Sequence, residues 1–344
     1  MLKTHHKIAL FMEGATGQLE GKMGSGILRY SENPIVCVID STKAGSSIKE
    51  LLNINRECPV VAGISDALKF KPDVLLLGSA PIGGEIPGTW YETIELALSA
   101  GLSIVNGFHD RLSEKYKGCY RQDQWIWDVR SPNYDFLNSP PVAALPDNKR
   151  VLLVGTDMGI GKMTTGLELN AWAQLNHINC SFLATGQIGI CITGAGIPLD
   201  AVIVDHAVKM VKNEIWNHNQ SDLVIVEGQG SLLNPISTAT LPLMRGSSPT
   251  HLILCHKAKM ETLEKFPDIK VPPLKEFIAL NEDVSSACGS LQKARTVGVA
   301  LNTSHLTENE AIKEICRLEN ELSMPVDDVV RFGSEKIGRA IVKS

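Results

Sequence analysis

A glycine-rich segment in the second half of the chain has the residue types needed to bind a polyphosphate. It follows the apolar run 150–154 and contains Gly155, Gly159 and Gly161, with Lys162 directly after them. Glycines allow successive backbone N–H groups to converge on an anion, the N-terminus of the next helix adds partial positive charge, and a lysine reaches the outer phosphates. This order of strand, loop and helix predicts a phosphate-binding loop (P-loop).

The segment departs from the usual P-loop pattern in two places. Five residues, not four, separate Gly155 from Gly161, and Met163 stands where a Ser or Thr hydroxyl usually holds Mg²⁺. A glycine turn that joins a strand to a helix without a ligand is the alternative. The residues predicted to contact the cofactor in this segment are Gly155, Thr156, Asp157, Gly159, Gly161, Lys162, Met163, Thr164 and Thr165.

The elements that must position this loop are predicted by an alternation of apolar runs and helix-like stretches, typical of an α/β protein with mainly parallel sheets. In the first half the predicted strands are 8–12, 35–39, 59–62, 74–78 and 103–106. In the second half they are 150–154, 180–184, 201–204, 223–226, 251–255, 297–301 and 328–332. Ligands of such sheets bind beyond the carboxyl ends of the strands, so the residues that follow the strands are the candidates for function.

A change of pattern between residues 131 and 147 predicts a domain boundary. Four prolines fall in this window, and each proline fixes φ and removes an N–H donor. We therefore predict an N-terminal domain at residues 1–140 and a C-terminal domain, which carries the P-loop, at residues 141–344.

The composition limits the classes of partner. Hydrophobic residues make up 44% and charged residues 21% of the chain, which is typical of a globular protein with a sizeable core. A net charge of −5 disfavours a nucleic-acid binder that relies on a basic surface. No apolar run approaches the roughly 20 residues needed to cross a bilayer, and no signal peptide is apparent. We expect a cytoplasmic protein with a small-molecule substrate and no nucleic-acid or membrane partner; a homo-oligomer is left open.

The cysteines do not predict a metal site or a disulfide framework. None of the eight forms a C-x-x-C pair, and several lie in apolar runs. We expect buried free thiols and no bound metal.

The segment 155–162 resembles the P-loop of dethiobiotin synthetase and its relatives. A second element supports this resemblance, since the strand 223–226 is followed by Glu-Gly-Gln-Gly at 227–230, similar to the Glu-Gly-x-Gly-Gly turn of those enzymes. The resemblance implies that Glu227 lies near the metal and the substrate, and that Asn302 reads an adenine edge of the cofactor. A structural turn carboxylate and an ordinary strand-ending residue are the alternatives for these two positions.

Nearly end to end, the chain resembles a family long described only as of unknown function, which pairs an N-terminal Rossmann-like domain with a C-terminal P-loop domain. The resemblance rests on the segments 14–26, 106–109, 127–130, 155–165, 184–189, 200–205, 227–232 and 254–256. Some members of that family are D-glutamate N-acetyltransferases. The resemblance implies acetyl transfer from acetyl-CoA to the amine of D-glutamate, with the P-loop holding the phosphates of the coenzyme. Met163 is compatible with that use, because no γ-phosphate must be neutralised.

Acetyl transfer to an amino acid needs a general base, because an ammonium nitrogen cannot attack a thioester until it loses a proton. Glu227 and His256 are the predicted catalytic residues, since each directly follows a predicted strand. For His256 the alternative is a structural histidine whose hydrogen bonds are satisfied by the backbone.

The predicted substrate-binding residues are Arg130, His109 and Gln229. An arginine can bind a carboxylate through two parallel N–H groups, which suits a dicarboxylate acceptor. His109 follows a predicted strand, and Gln229 lies in the turn after Glu227. A solvated surface charge is the alternative for Arg130, and a structural role is the alternative for His109.

The first domain carries a weaker motif. Gly14, Gly17 and Gly21 follow the first predicted strand and Asp40 follows the second, which is a spacing that dinucleotide-binding domains use. The G-x-G-x-x-G order is not met, however. We expect this domain to keep the fold and to supply one wall of the substrate cleft.

Two other functions remain open on these residues. The first is an ATP- and Mg²⁺-dependent kinase or ligase of a small carboxylate, similar to dethiobiotin synthetase. The second is a nucleotide-sensing protein that binds its ligand without turnover.

Overall fold

The computed structural model describes residues 2–79, 84–135 and 145–344 and divides the chain into two compact units. The N-terminal unit comprises Met1–Pro132 together with Gln187–Ala201, and the C-terminal unit comprises Asn133–Gly186 together with Val202–Ser344. The boundary predicted at residues 140 and 141 lies outside the described residues. The segment Gln187–Ala201 groups with the N-terminal unit although it lies within the predicted C-terminal domain along the chain.

The N-terminal unit is built on a six-stranded sheet in the order β3-β2-β1-β4-β5-β6, and every paired neighbour is parallel. The strands are β1 (Ile8–Phe11), β2 (Ile35–Ile39), β3 (Val60–Val61), β4 (Val74–Leu77), β5 (Ser103–Asn106) and β6 (Ile126–Asp128). The helices of this half of the chain are α1 (Lys22–Tyr30), α2 (Ile48–Leu52), α3 (Ile64–Ala67), α4 (Tyr91–Ser99) and α5 (Leu112–Lys115). This strand order, with the reversal between β1 and β4, is that of a Rossmann-like sheet.

The C-terminal unit contains a second six-stranded parallel sheet, in the order β12-β11-β10-β7-β9-β8. Its strands are β7 (Lys149–Gly155), β8 (Cys180–Leu183), β9 (Leu223–Val226), β10 (His251–Lys257), β11 (Arg295–Asn302) and β12 (Val326–Asp327). The helices of this half of the chain are α6 (Lys162–Leu175), α7 (Gln187–Thr193), α8 (Val204–Asn217), α9 (Thr240–Ser247), α10 (Leu274–Ser286), α11 (Glu308–Leu322) and α12 (Glu335–Lys343). Of these, α7 lies in the N-terminal unit. The fold class predicted from the sequence is therefore confirmed.

The central strands read as continuous apolar runs because both faces of each sheet are covered by helices. All four residues of β1, β4 and β9 are buried. Helices begin at recognisable caps: Thr307 accepts a hydrogen bond from the Glu310 backbone N–H and Glu310 reaches back to Thr307, so that α11 starts with a capping box. Among the described residues, no helix has both the length and the apolar character that a membrane span requires.

Two predicted strands are wrong. Residues 201–204 end a 3-10 turn and begin α8, because Ala207, Met210, Val211 and Ile215 recur at helical spacing and are buried. Residues 328–332 form a turn after β12, since the Asp328 carboxylate accepts the backbone N–H groups of Val330 and Arg331. In both cases residues next to or within the short apolar run decide its conformation: the helical spacing of the apolar residues after 204 in the first, and the Asp328 carboxylate in the second.

The prediction that the cysteines are buried free thiols is confirmed for some of them and wrong for others. All eight are free; Cys37, Cys58, Cys191 and Cys255 are buried, Cys180 is half-buried, and Cys119, Cys288 and Cys316 are exposed.

Gly21 and Gly24, which follow the first strand, serve close packing within the N-terminal unit. A Cβ added at Gly21 would lie 2.1 Å from the Ala15 carbonyl oxygen, and one at Gly24 would lie 2.3 Å from the Met12 sulfur. The Gly24 N–H also donates to the Gly78 carbonyl at 2.7 Å, which holds the first turn of α1 against the end of β4. Packing alone therefore accounts for Gly21 and Gly24.

Asp40 is fully buried and its carboxylate organises the loop after β1. One oxygen accepts the Gly14 N–H at 3.2 Å and the Thr42 N–H at 3.0 Å, and the other accepts the Thr16 N–H at 3.1 Å. The Thr42 hydroxyl adds a bond of 2.7 Å. Burial alone would raise the pKa of Asp40, but the hydrogen bonds from Thr16, Thr42 and Gly14 outweigh it, so the pKa lies below its usual value.

We expect Asp40→Asn to lower the free energy of unfolding by about 2 kcal/mol, because an amide nitrogen would face backbone donors in place of a carboxylate oxygen. A lowered pKa means that this contribution is present above the unfolded-state pKa and is lost as the pH falls through the folded-state value. Urea titrations between pH 7 and pH 3 measure both effects. Asp66, whose side chain is 46% exposed and forms an ion pair with Lys69, provides the control Asp66→Asn. Equal stability of Asp40→Asn and wild type at pH 7 would contradict this role.

Candidate active site at the phosphate-binding loop

The predicted P-loop connects the end of β7 to the start of α6. Gly159 has a φ of 71° and Gly161, the residue before α6, has a φ of 114°, a region that side chains rarely adopt. A Cβ added at either glycine would meet no atom within 4 Å. Open space therefore lies beside both glycines at the N-terminus of α6, and a helix N-terminus is a place where phosphate groups bind.

Asp157 ties this loop to two other segments of the C-terminal unit. Its carboxylate accepts the Met158 N–H at 2.7 Å, the Asn234 side-chain amide at 2.8 Å and the Glu264 N–H at 3.1 Å. Only 3% of Asp157 is exposed. The residue therefore shapes the loop through its side chain. Sequence reasoning missed Asn234, although the Asn-Pro pair that follows the Glu-Gly-Gln-Gly turn was available as a signal.

Lys162 is buried beside the loop, with 6% of its surface exposed. Its ammonium group donates to the Asp157 carbonyl oxygen at 2.8 Å. Burial lowers the pKa of Lys162, while the charges of Cys255, Asp157 and Glu227 act in the opposite direction. A buried ammonium group is costly unless an anion compensates it, and a phosphate at the loop would be such an anion.

Gly228 leaves room for the lysine side chain. A Cβ at this position would lie 1.6 Å from the Leu153 carbonyl oxygen and 2.9 Å from Cδ of Lys162. The first of these contacts is with backbone, so the neighbouring strand itself would have to move. Glycine is therefore required at the turn after β9 for a steric reason.

We expect Gly228→Ala to lower the free energy of unfolding by at least about 2 kcal/mol and to displace Lys162, since overpacking against backbone cannot relax by rotation of a side chain. Chemical denaturation measures the first effect and ligand calorimetry the second. Gly63→Ala is the matched control, because no atom lies within 4 Å of its added Cβ. Wild-type stability in Gly228→Ala would show that the turn can shift freely.

Glu227 follows β9 and is 3% exposed. One carboxylate oxygen accepts the backbone N–H groups of Thr185 at 2.8 Å and Gly186 at 3.2 Å, and the other accepts the Gln229 side-chain amide at 3.1 Å. Burial raises the pKa of Glu227 to about 7, although these hydrogen bonds and the charge of Lys162 lower it. A carboxyl group with this pKa can exchange a proton at neutral pH, as a general base must.

Gln229 contacts Glu227 directly, so the structure brings these two predicted residues together. A Cβ at Gly186 would lie 2.6 Å from the Gln229 side-chain nitrogen and 3.3 Å from a Glu227 oxygen. The absence of a side chain at Gly186 allows this hydrogen-bonded arrangement to form.

His256 lies at the end of β10 and is 6% exposed. Its Nδ1 forms a hydrogen bond with the Thr156 hydroxyl at 3.0 Å. Burial lowers the pKa of His256 to about 4, and the nearby charge of Glu314 only partly opposes this. The imidazole is therefore neutral at neutral pH, and its hydrogen bond connects it to the second residue of the P-loop.

The other predicted cofactor-binding residues surround the loop. The Asn302 side-chain amide donates to the Ile160 carbonyl at 3.3 Å, so this residue contacts the loop itself. Thr165 is buried and accepts a hydrogen bond from the Cys255 thiol at 3.6 Å, whereas Met163 and Thr164 are half-buried in the first turn of α6.

Two predicted substrate-binding residues belong to the N-terminal unit. Arg130 and His109 follow β6 and β5, and a guanidinium nitrogen of Arg130 contacts both ring nitrogens of His109. The same nitrogen lies 3.2 Å from the carboxylate of Asp200, which the sequence analysis did not single out.

Family models match both parts of the chain. Residues 41–132 match a domain of unknown function described as the Rossmann-like domain DUF1611_N, and residues 143–338 match the P-loop domain DUF1611_C.

Relatives and a solved structure agree with these matches. The chain is 31% identical over 340 residues to a D-glutamate N-acetyltransferase of Tritonibacter scottomollicae, with 96% of this chain and 97% of the relative covered. It is 30% identical over 333 residues to a protein of the same name from a Pseudoalteromonas species, with 95% and 96% covered. A crystal structure of a DUF1611 family protein from Anabaena variabilis superimposes with a TM-score of 0.92 at 42% identity and covers 99% of this chain and 100% of its own. The chain belongs to the DUF1611 family.

Proposed function

We propose that this protein is an acetyl-CoA-dependent N-acetyltransferase whose acceptor is D-glutamate. The observation that carries the proposal is full-length similarity, at 31% and 30% identity, to two relatives that bear the name D-glutamate N-acetyltransferase. Similarity of this extent includes the P-loop, the Glu227 turn and the N-terminal unit, so the proposal does not depend on one motif.

In this proposal the P-loop holds the diphosphate of coenzyme A. The support is the open space beside Gly159 and Gly161, the N-terminus of α6 and the ammonium group of Lys162. These donors fit a diphosphate, which needs many N–H groups and a cation. Met163 supplies no hydroxyl for Mg²⁺ at the position where phosphoryl-transfer P-loops use one.

Glu227 is the proposed general base. The reaction forms a bond between the amine nitrogen and the acetyl carbon and breaks the C–S bond of the thioester, and the leaving thiolate takes up a proton. Before attack, the ammonium nitrogen must lose a proton, and Glu227 is proposed to receive it. Its raised pKa of about 7 supports this role, because a carboxylate with an ordinary pKa is a far weaker base. His256, neutral and bonded to Thr156, remains the second candidate.

The test is release of CoA thiol when the purified protein is given acetyl-CoA and D-glutamate. We expect a thiol to appear in equal amount to N-acetyl-D-glutamate, with a chromogenic disulfide reporting the thiol and mass spectrometry the amide. Absence of thiol release across a panel of D- and L-amino acids would reject the proposal. ADP formation from ATP, dependent on Mg²⁺ and a small carboxylate, would instead indicate the kinase or ligase.

A further inference from the structure

Three charged or titratable side chains of the N-terminal unit form a cluster beyond the carboxyl ends of β5 and β6. Arg130 lies at the centre, with His109 on one side and the Asp200 carboxylate 3.2 Å from a guanidinium nitrogen. The Arg130 side chain is 14% exposed, and that of Asp200 is 45% exposed. A largely buried cation thus lies next to a solvent-accessible anion.

The surrounding backbone fixes the two residues that follow the strands. The N–H of Val129 donates to the Asn106 carbonyl at 2.8 Å and that of Ser131 donates to the Asp128 carbonyl at 2.9 Å, which holds the backbone on both sides of Arg130. The His109 N–H donates to the Gly84 carbonyl at 3.0 Å. The arginine therefore projects from a rigid segment at the edge where ligands of parallel sheets bind.

The guanidinium group of Arg130 is incompletely satisfied. Over the residues that the structure describes, its Nε is buried and has no hydrogen-bond partner. A buried N–H group without an acceptor is costly, and five donors in a planar fork are suited to a carboxylate that accepts two of them at once. Among the described residues Asp200 contacts a terminal nitrogen of the guanidinium, so the hydrogen-bonding capacity of Nε is unused within the protein.

We propose that Arg130 and Asp200 form a binding site for the head group of an α-amino acid, in which Arg130 binds the α-carboxylate and Asp200 binds the ammonium group. A zwitterion presents an anion and a cation a few ångströms apart, and the pair presents the complementary charges. His109 completes the site by packing against the guanidinium and limiting its rotation. The choice of D-glutamate as the probe rests on the proposed function, whereas the site itself rests on the cluster.

The test compares D-glutamate with glutarate, which has both carboxylates but lacks the amine. Calorimetry measures the affinity of each compound for wild type, Asp200→Asn and Arg130→Gln, with and without saturating CoA. Arg111→Gln is the matched control, because Arg111 lies in the same unit and, over the described residues, its guanidinium donates to the Ser131 hydroxyl at 2.6 Å. Thermal unfolding of each variant verifies that it is folded.

We expect Arg130→Gln to weaken both compounds at least about tenfold, because both need the guanidinium. We expect Asp200→Asn to weaken D-glutamate by about fivefold or more and to leave glutarate unchanged or bound more tightly, because only D-glutamate carries the cation. Arg111→Gln should change neither affinity. Weaker binding of D-glutamate by Asp200→Asn, without weaker binding of glutarate, would therefore identify an amino-acid site.

Three results would overturn the proposal. Tighter binding of both compounds by Asp200→Asn would make Asp200 an internal counter-ion of Arg130. Unchanged affinities in Arg130→Gln, or no binding of either compound to wild type, would remove the site altogether. Because these measurements need no acetyl transfer, failure of the thiol-release assay would reject the proposed function without affecting them.

Discussion

Glu227→Gln is expected to lower the turnover number by about 10²- to 10⁴-fold, while the affinity for CoA changes little. Glutamine keeps the size of the side chain and can still accept the Thr185 and Gly186 N–H groups through its oxygen, but it cannot take up a proton. Steady-state kinetics with D-glutamate and acetyl-CoA give the turnover number, and calorimetry gives the affinity for CoA. Equal losses in turnover and in CoA binding would assign Glu227 a positioning role.

The pH dependence distinguishes a base from a structural carboxylate. With a pKa of about 7, Glu227 is protonated in most molecules at pH 6, so kcat/KM of the wild type should fall below pH 7. The residual activity of Glu227→Gln should lack this decrease. Glu168→Gln, a replacement of a half-buried glutamate on α6, is the control and should keep the wild-type profile. If kcat/KM of Glu227→Gln decreased below pH 7 as it does in the wild type, Glu227 would not be the group that causes the decrease.

Glu227 should also affect stability, in the direction set by its raised pKa. A carboxyl group with a folded-state pKa above its unfolded-state value contributes stability that is fully present below the unfolded-state value and is lost as the pH rises through the folded-state value. The window runs from about pH 4.3 in the unfolded chain to about pH 7 in the folded protein. Over that window Glu227→Gln should lose less stability than the wild type.

The second large effect is expected for Lys162→Met, which should weaken CoA binding by about 100-fold or more, because the variant loses a charge-assisted contact to phosphate in a buried site. The same change should leave the ligand-free protein at least as stable as the wild type. Burial lowers the pKa of Lys162, so its charged form is disfavoured in the folded state, and methionine fills similar space without that cost.

Calorimetry with CoA and urea unfolding without ligand measure the two effects on the same preparations. Lys275→Met removes an exposed charge on α10 and serves as the control for net charge. Wild-type affinity for CoA in Lys162→Met would remove the P-loop from the proposed function. A large loss of stability would instead indicate that the bond to the Asp157 carbonyl holds the loop.

The sequence was informative about the C-terminal unit because its chemistry depends on neighbours along the chain. Gly155, Gly161 and Lys162 occupy one loop between one strand and one helix, so their spacing alone predicted the P-loop. Glu227 was likewise found from its position directly after a buried strand. The partners of Asp157 were not found, because Asn234 and Glu264 come from segments far along the chain and meet it only through the fold.

The N-terminal unit shows why a glycine pattern is weak evidence by itself. Gly21 and Gly24 are explained by contacts with Ala15 and Met12, and Asp40 is occupied by four donors of its own unit. A sequence shows that a residue has no side chain but does not show which atoms approach it. Asp200 was missed for the same reason, since about 70 residues separate it from Arg130 along the chain.

The grouping of residues 187–201 with the first unit limits how this chain can be divided. Helix α7, with buried Ile190, Cys191 and Ile192, packs on α1, although it is encoded between two strands of the second sheet. A fragment ending near residue 132 would lack the helix that covers α1, and a fragment beginning there would carry an apolar helix with no surface of its own to cover. Neither fragment is therefore suited to separate expression. Genetic recombination that separated the two fragments would likewise expose an apolar surface that favours aggregation.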